Sequence, residues 1–360
     1  MKIAVDAMGG DYAPEAVVEG VLLAEPQCPA DLLLIGNQEQ LQQVFEKLGT
    51  SSAVQVIHAP EVIGNGEAGS LAIRKKREAS LSIAMRLLAE DAVDAVVSAG
   101  NSAAVVATAK HFVGLISGLR RPALAVPLPS SNGGALLLDA GAHAEASAIH
   151  LAQAAALAQA YLKATAGMDR ARIGLINIGR EPIKGPKVIQ RTFALLERSR
   201  LHFIGNIEPQ DLFDGHMDVA VCDGFMGNVV LKLCEGLSQY FMQSIEAEAD
   251  GREESDARRA LPGTVSGLQK QYRYQDVGGA PLLGIRKTVV VAHGRSQGSA
   301  IANAIQRAFQ LVDKKVYECM SDDLEKDSVL TELRNHNALL MLENIRLKWG
   351  FAQKKNQTGN

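Results

Sequence analysis

The chain opens with Met1-Lys2-Ile3-Ala4-Val5-Asp6-Ala7-Met8-Gly9-Gly10-Asp11-Tyr12-Ala13-Pro14, and this stretch decides how the fold begins. An apolar strand ends in an acid, two glycines form a turn, and an aspartate and a proline stand where a helix cap and first turn belong. Backbone amides at a strand–turn–helix junction point outward, and the helix dipole favours an anion there. The opening therefore predicts a phosphate cradle at Asp6, Gly9 and Gly10. The alternative is an ordinary strand-to-helix turn.

Short apolar runs alternate with stretches of helical period along most of the chain. The predicted strands are Ile3–Val5, Leu32–Ile35, Val54–Ile57, Ala95–Val97, Ala135–Leu138, Ile173–Ile176, Val219–Cys222 and Thr288–Ala292. The predicted helices between them include Glu15–Leu23, Leu41–Leu48, Leu81–Ala89 and Ala148–Leu162. This alternation is typical of right-handed β-α-β units in a mainly parallel sheet covered by helices on both faces. It predicts an α/β domain over residues 1–320.

Two regions depart from this alternation of strands and helices. Residues 243–275 continue a helix into a strongly polar stretch, which we interpret as a solvated excursion or flap of the domain. Residues 321–360 read as a C-terminal helical tail, in which Leu333, Leu340 and Leu347 are spaced by seven. The last residues, 353–360, are expected to be disordered.

The composition narrows the class of function. A chain of 360 residues with 47% hydrophobic residues can bury a large core. A net charge of −3 and an aromatic content of 4% argue against a nucleic-acid-binding protein. The four cysteines lack metal-ligand spacing, which favours reduced thiols in a cytoplasmic protein without a metal site. We expect neither a signal peptide nor a membrane span.

Polar or glycine-rich turns follow several of the predicted strands. The most informative are Ser98-Ala99-Gly100-Asn101-Ser102, Asn177–Gly185, Cys222–Asn228, Gly278–Gly284 and His293-Gly294-Arg295-Ser296. Each of these turns, taken alone, has a purely structural explanation. Glycine is common in turns, asparagine caps helices, and lysine is often a solvated residue at the start of a helix. Because ligands of such folds collect at the carboxyl ends of the strands, we expect these turns to share one site.

Together these motifs resemble the bacterial phosphate acyltransferase (PlsX) family. The matching stretches are Asp6–Asp11, Ser98–Asn101, Arg121–Leu124, Asn177–Gly185, Cys222–Asn228, Gly278–Gly284 and His293–Gly294. In order and spacing they cover about residues 1–315. The resemblance implies a three-layer α/β/α sandwich, like that of isopropylmalate dehydrogenase and phosphotransacetylase, working as a homodimer.

The resemblance also implies a reaction. The family transfers a fatty acyl group from acyl carrier protein to inorganic phosphate, giving acyl phosphate and free carrier protein for phospholipid synthesis. Such a protein would be cytoplasmic, with weak contact to the inner membrane surface or to a downstream acyltransferase. The alternative is a non-catalytic or altered-specificity paralogue that binds acyl carrier protein. A third interpretation is an oxidoreductase of the isopropylmalate dehydrogenase-like fold. Such a protein should show metal-binding aspartates in a D-x-x-x-D-like helix, or a Gly-x-Gly-x-x-Gly nucleotide fingerprint after the first strand, and we find neither.

The reaction requires little covalent chemistry from the protein, because phosphate is the nucleophile and a thioester is already activated. Positioning and charge stabilisation should dominate, and we expect no cofactor. Lys184 is the leading candidate to hold phosphate. The backbone turns that would assist it are those of Gly9, Gly10, Gly227 and Asn228.

Three further side chains are candidate catalytic residues. Asp223 would orient the lysine or a bound water, Asn101 or Asn228 would donate to the thioester oxygen, and His293 would act as an acid for the leaving thiolate. Cys222 lies inside an apolar strand without a paired histidine, which disfavours a nucleophilic cysteine.

Acyl carrier proteins are acidic, so their partner surface should be basic. Arg74-Lys75-Lys76-Arg77 and Arg120-Arg121 are the densest cationic clusters, and Arg74 and Arg77 match basic positions of the family. The alternative is a solvated helix face.

The chain departs from the family pattern at several positions. They are Arg180 where an acid is usual, His143 where asparagine is usual, Ala103 in the Asn101 turn, and the polar segment 246–259 where the family is apolar and basic. These departures bear on substrate choice and on membrane docking.

Overall fold

The computed structural model describes residues 1–49, 54–64, 66–67, 73–131, 133–250, 278–326, 329–335 and 338. Its strands are β1 Lys2–Asp6, β2 Asp31–Gly36, β3 Gln55–His58, β4 Ala95–Ser98, β5 Ala123–Leu124, β6 Val126–Leu128, β7 Ala135–Leu138, β8 Ile173–Ile176, β9 Phe203–Ile207, β10 Val219–Val221, β11 Ala280–Leu283 and β12 Thr288–Val291. Its helices are α1 Glu15–Ala24, α2 Gln38–Lys47, α3 Ser80–Ala89, α4 Ser102–Phe112, α5 Ala148–Ala166, α6 Lys187–Glu197, α7 Gly224–Asp250, α8 Gly298–Asp313 and α9 Val316–Lys326, with a 3₁₀ turn at Pro209–Phe213.

The strands form two sheets rather than the single sheet that the sequence suggests. A seven-stranded sheet has the order β3-β2-β1-β4-β12-β11-β5, and a five-stranded sheet has the order β6-β7-β10-β8-β9. All pairs are parallel except those that involve β5, β6 and β11. With helices packed against the sheets, the predicted α/β sandwich class is confirmed.

One short segment joins the two sheets. β5 is the last strand of the seven-stranded sheet and β6 is the first of the five-stranded sheet, with only Ala125 between them. The Ala125 N–H donates to the Pro281 carbonyl at 3.1 Å, and the Ala140 N–H donates to the Leu124 carbonyl at 3.0 Å. These hydrogen bonds connect the two sheets next to the loop that follows β7.

The core explains the unusual composition of α5. This helix contacts α6 and α9, and Ala152, Ala155 and Ala158 are fully buried along it. Small side chains on several faces allow neighbouring elements to approach a helix closely on all of them. A different close approach joins α1 to α8, where a Cβ on Gly20 would lie 2.5 Å from the Ile301 Cβ.

The core continues past residue 320, the predicted end of the α/β domain. Leu324, Val329, Leu330 and Leu333 are buried in the same apolar cluster as α5. Leu340, Leu347 and residues 353–360 of the predicted tail lie outside the described residues, as do residues 251–275 of the predicted excursion. Across the described part of the chain, no helix combines the length and apolar character that crossing a bilayer requires.

Candidate active site

The polar turns lie at the carboxyl edges of the two sheets. In the seven-stranded sheet, Asp6 is in register with Ser98, and Ser98 with Val291, so β1, β4 and β12 end side by side. In the five-stranded sheet, β7, β10 and β8 are neighbours, and they lead into Asp139, Asp223 and the Asn177–Gly185 loop. The predicted site residues therefore fall into two groups, one on each sheet.

The buried Asp6 side chain accepts hydrogen bonds from the glycine turn that follows β1. Its side chain is 2% exposed and accepts hydrogen bonds from the Ser98 hydroxyl at 2.7 Å and the Met8 N–H at 3.3 Å. Burial raises the pKa of Asp6, while the hydroxyls of Ser80 and Ser98 and the amides of Met8 and Gly9 act in the opposite direction. A carboxyl held in this way shapes the turn.

Gly9 and Gly10 need to be glycines for different reasons. A Cβ on Gly9 would lie 2.6 Å from Asp6 Oδ2 and 2.7 Å from the Gly100 nitrogen, so no larger residue fits there. Gly10 has a φ of 117°, a conformation open to glycine. Three backbone N–H groups of the turn already have acceptors. Those of Met8 and Gly9 donate to the Asp6 carboxylate, and that of Asp11 donates to the Gly294 carbonyl at 2.7 Å. Phosphate binding by Asp6, Gly9 and Gly10 stays a prediction.

Asn101 is the N-cap of α4. Its Oδ1 accepts the N–H groups of Ala103 at 2.9 Å and Ala104 at 3.3 Å, the local pattern that starts a helix at this position. The small residue at Ala103 is thus part of the capped turn. Donation from Asn101 to a thioester oxygen stays a prediction.

His293 follows β12 and is half-buried between that turn and α7. Its Nδ1 accepts the Arg295 N–H at 3.0 Å, and its Nε2 contacts the Lys232 ammonium. Glu235 Oε2 lies 3.9 Å from the same Nε2. Burial and then the charge of Lys232 lower the pKa of His293, and Glu235 and Asp11 oppose that shift.

Asp139 is the equivalent buried acid of the five-stranded sheet. It is 7% exposed, and its Oδ1 accepts the N–H groups of Leu124, Gly141 and Ala142, while its Oδ2 accepts that of His143, all at 2.8 to 3.1 Å. Burial raises the pKa of Asp139, and these amides act against the increase. The carboxyl therefore fixes the whole loop after β7.

His143 lines a small pocket together with Arg121, Asp139 and His150. Burial, with the nearby charges of Arg121 and Lys110, lowers the pKa of His143 to about 4. Its imidazole is neutral at pH 7, so its 3.9 Å approach to Asp139 is no ion pair there. The His143 carbonyl also accepts the Gly224 N–H at 2.9 Å, which joins this loop to α7.

The start of α7 is packed tightly onto the Asp139 loop. Asp223 caps the helix, because its Oδ1 accepts the Met226 N–H at 2.8 Å. A Cβ on Gly227 would lie 1.9 Å from the Asp139 carbonyl oxygen, and Asn228 lies against Gly141. The structure thus brings Asp223, Gly227 and Asn228 together, and it gives Asp223 a capping contact.

Lys184 lies in the loop between β8 and α6. The Asn177 side chain is buried and organises this loop by donating to the Lys184 carbonyl at 3.1 Å and accepting the Ile178 N–H at 2.8 Å. The Lys184 side chain is exposed, and its ammonium forms no hydrogen bond or ion pair with the described residues. No contact joins it to the Gly9–Gly10 turn within this part of the chain.

Arg180 has its own partners in the same loop. Its guanidinium bonds Asp211 Oδ1 at 2.9 Å and lies 3.9 Å from Glu208 Oε2. The Arg180 guanidinium is thus directed toward the 3₁₀ turn.

Cys222 is 2% exposed, and burial followed by the charges of Asp139 and Asp223 raises its thiol pKa well above the ordinary range. Such a thiol is a poor nucleophile. Among the residues that the structure describes, no group of three or more His, Cys, Asp and Glu side chains is arranged to hold a metal ion.

Sequence reasoning missed Lys232 and Glu235. Both lie within the apolar run of α7, which the sequence presents as a packing helix. The available signal was a lysine and a glutamate three residues apart, which places them on one face of a helix.

Comparison with known proteins agrees with this architecture. A family model described as a fatty acid synthesis protein matches residues 1–319. The phosphate acyltransferase of Syntrophobacter fumaroxidans is 59% identical over 98% of this chain and all of that protein. The phosphate acyltransferase of Desulforamulus reducens is 37% identical over 92% of this chain and all of that protein.

Solved structures share the fold at low sequence identity. A phosphotransacetylase from Streptococcus pyogenes superimposes with a TM-score of 0.57 at 18% identity, covering 87% of this chain and 94% of that one. A branched-chain phosphotransacylase from Enterococcus faecalis gives a TM-score of 0.54 at 13% identity, covering 87% and 99%. The chain belongs to the phosphate acyltransferase family and is an enzyme that transfers an acyl group to phosphate.

Proposed function

We propose that the acyl donor is a fatty acyl thioester of acyl carrier protein and that the products are acyl phosphate and free carrier protein. The observation that carries this proposal is the full-length 59% identity to a phosphate acyltransferase. It is supported by two neighbouring features of the five-stranded sheet. The exposed Lys184 ammonium follows β8, and the N-terminus of α7 follows the adjacent β10.

The reaction balances without a cofactor. A phosphate oxygen attacks the thioester carbonyl carbon, the new C–O bond forms, and the C–S bond then breaks with its electron pair leaving on sulfur. Lys184 offsets the phosphate charge, and the amide of Asn101 or Asn228 stabilises the developing oxyanion. His293 supplies a proton to the leaving thiolate and regains one from the hydrogen phosphate that attacks.

The experiment mixes purified protein, phosphate and a fatty acyl thioester of acyl carrier protein. We expect equal amounts of acyl phosphate, trapped with hydroxylamine, and of free carrier thiol. The matching coenzyme A thioester serves as the comparison donor. Acyl phosphate formed from the coenzyme A thioester but not from the carrier thioester would contradict the proposed donor and support the paralogue of altered specificity.

The carrier protein is proposed to dock on Arg74 and Arg77. Both side chains are exposed, whereas Lys76 between them bonds Glu67 and the Val62 carbonyl. Reversing both charges in Arg74→Glu/Arg77→Glu should raise the KM for the carrier thioester roughly tenfold and leave kcat little changed, because exposed charges act mainly on encounter.

The matched control for that variant reverses two exposed arginines elsewhere, in Arg170→Glu/Arg198→Glu. Its KM should equal that of the parent at low and high salt. Equal increases of KM in both double variants would reduce the effect to overall charge and remove Arg74 and Arg77 from the docking surface.

The protein is further proposed to be a homodimer that pairs through α7. An apolar stripe runs along this helix, from Phe225, which is 66% exposed, through the exposed Val229, Leu233 and Leu237 to Phe241. Contiguous exposed apolar surface marks interaction sites. Light scattering should give about twice the 38.4 kDa chain mass, and Leu233→Asp should halve it. A parent protein that is monomeric at micromolar concentration would rule the dimer out.

A further inference from the structure

We infer that Ile178 and Ile183 form an apolar subsite beside Lys184 and that this subsite binds the acyl chain of the substrate. The assignment rests on the proposed function, which places phosphate at Lys184 and a fatty acyl group next to it. It gives a role to two side chains of the loop between β8 and α6 that packing does not explain.

Ile178 and Ile183 are the most exposed large apolar side chains in the part of the chain that the structure describes, at 75% and 80%. The next most exposed is Phe225, at the start of α7. Strands β8 and β10 are neighbours and Val221 pairs with Leu175, so the segments that follow them leave the sheet side by side. Scattered exposed apolar residues are ordinary, but a group of them at one sheet edge marks a binding surface.

The loop that carries the two isoleucines is held in one conformation by polar side chains. Three of them donate to its carbonyls at 2.7 to 3.1 Å, namely Asn177 to Lys184, Asn206 to Glu181, and Gln190 to both Ile183 and Gly185. Ile178 and Ile183 cannot turn toward the core without breaking these hydrogen bonds. Their exposure is therefore built into the loop, and a loop ordered in advance loses little entropy when a ligand binds.

The Lys184 side chain folds back over the same loop. A Cβ on Gly179 would lie 3.4 Å from Lys184 Cγ and 3.7 Å from Cδ, so the lysine stem packs over the residue that follows Ile178. Ile183 directly precedes Lys184. The Glu181 carboxylate is near the same point, with Oε2 3.0 Å from that Cβ position, yet it forms no ion pair with the ammonium in the described structure. The lysine stem thus lies close to the backbone of both isoleucines.

A cation next to exposed apolar side chains suits a ligand with an anionic head and an apolar tail. Acyl phosphate has both parts, because its phosphate would meet the Lys184 ammonium while its chain covers Ile178 and Ile183. A second copy of this chain could also cover the isoleucines, but it would have to bury the Lys184 charge, which has no ion-pair partner among the described residues. Burying an unpaired charge is costly, which favours the acyl chain as the occupant.

The test compares butyl phosphate with decyl phosphate, which share a head group and differ in chain length. Calorimetric titration of the full chain measures the two Kd values, with decyl phosphate kept below its critical micelle concentration. The parent should bind decyl phosphate more tightly. Ile178→Ser/Ile183→Ser should raise the Kd of decyl phosphate roughly tenfold and leave that of butyl phosphate unchanged, because it removes apolar surface and no charge. Ile178→Leu/Ile183→Leu should keep the tight binding.

Two controls separate the chain from the head group and from general effects. Lys184→Ala should raise both Kd values by the same factor, since it removes the charge that meets the phosphate. Ile204→Ser replaces an exposed isoleucine near the amino end of the neighbouring strand β9 and should change neither value. Circular dichroism and light scattering should give the parental fold and mass for every variant.

Several results would overturn the subsite. They are a parent that binds neither probe or binds both equally, a serine double variant with an unchanged Kd for decyl phosphate or with equal losses for both probes, and a lower mass of that variant in light scattering, which would make the isoleucines a subunit contact. Failure of the proposed function looks different. A parent that binds decyl phosphate through the isoleucines but forms no acyl phosphate would contradict acyl transfer and leave the apolar subsite in place.

Discussion

Asp139→Ala should lower the free energy of unfolding by about 3 kcal/mol or more. Asp139 accepts four backbone N–H groups from the loop that joins β7 to α5 and from β5. Alanine leaves these four donors without acceptors, the Leu124 N–H in a buried position and the other three in part-buried positions. Each buried orphaned donor costs about 1–3 kcal/mol before the loop relaxes. Because Gly227 packs on the Asp139 carbonyl, the loop cannot relax without displacing α7.

Urea unfolding followed by circular dichroism measures this effect. Asp139→Asn is the matched variant, since its single oxygen can keep the three bonds made by Oδ1 and lose only the one made to the His143 N–H. We expect its loss of stability to fall between those of the parent and Asp139→Ala. Asp313→Ala, at an exposed position, should be neutral. Equal stabilities of parent and Asp139→Ala would refute the role given to this carboxyl.

Lys184→Ala should reduce phosphate-dependent acyl-phosphate formation roughly ten- to a hundredfold. The loss removes a charge-assisted contact to phosphate worth about 1.5–3 kcal/mol, and part of it should appear as a higher phosphate requirement. Arg180 is the nearby cation that sequence alone offers as a substitute. The structure bonds Arg180 to Asp211, so it should rescue little of the loss.

The control for that variant comes from the same loop. Lys187→Ala removes an exposed lysine at the start of α6 and should leave the rate unchanged. Circular dichroism should show that both variants keep the fold, because neither side chain supports packing. Parental rates of Lys184→Ala at every phosphate concentration would take Lys184 out of the active site.

Sequence patterns predicted the parallel framework well, because a buried parallel strand leaves a continuous apolar run. All eight predicted strands are present, within one residue at either end. The missed strands have local reasons. β6 and β11 contain Pro127 and Pro281 and pair antiparallel, and β9 contains Gly205 in a left-handed conformation.

The candidate site was predicted less completely. Strand ends marked Asp6, Asp223 and His293 as polar positions, but their division between two sheets depends on pairings that no local pattern encodes. The glycine motif at Gly227 signals a close approach, yet only the fold shows that the Asp139 carbonyl is its partner. The contact between Lys232 and His293 could not be predicted, because it depends on where α7 lies relative to β12.

Phosphate labelled with oxygen-18 at all four positions tests the central claim most directly. In a reaction with acyl carrier protein thioester, direct attack of phosphate on the carbonyl carbon should give acyl phosphate that retains all four labels, with carrier thiol released in equal amount. Mass spectrometry of the product reads the label. Release of thiol with unlabelled fatty acid and no labelled acyl phosphate would show that water, not phosphate, attacks the thioester, and would contradict the account.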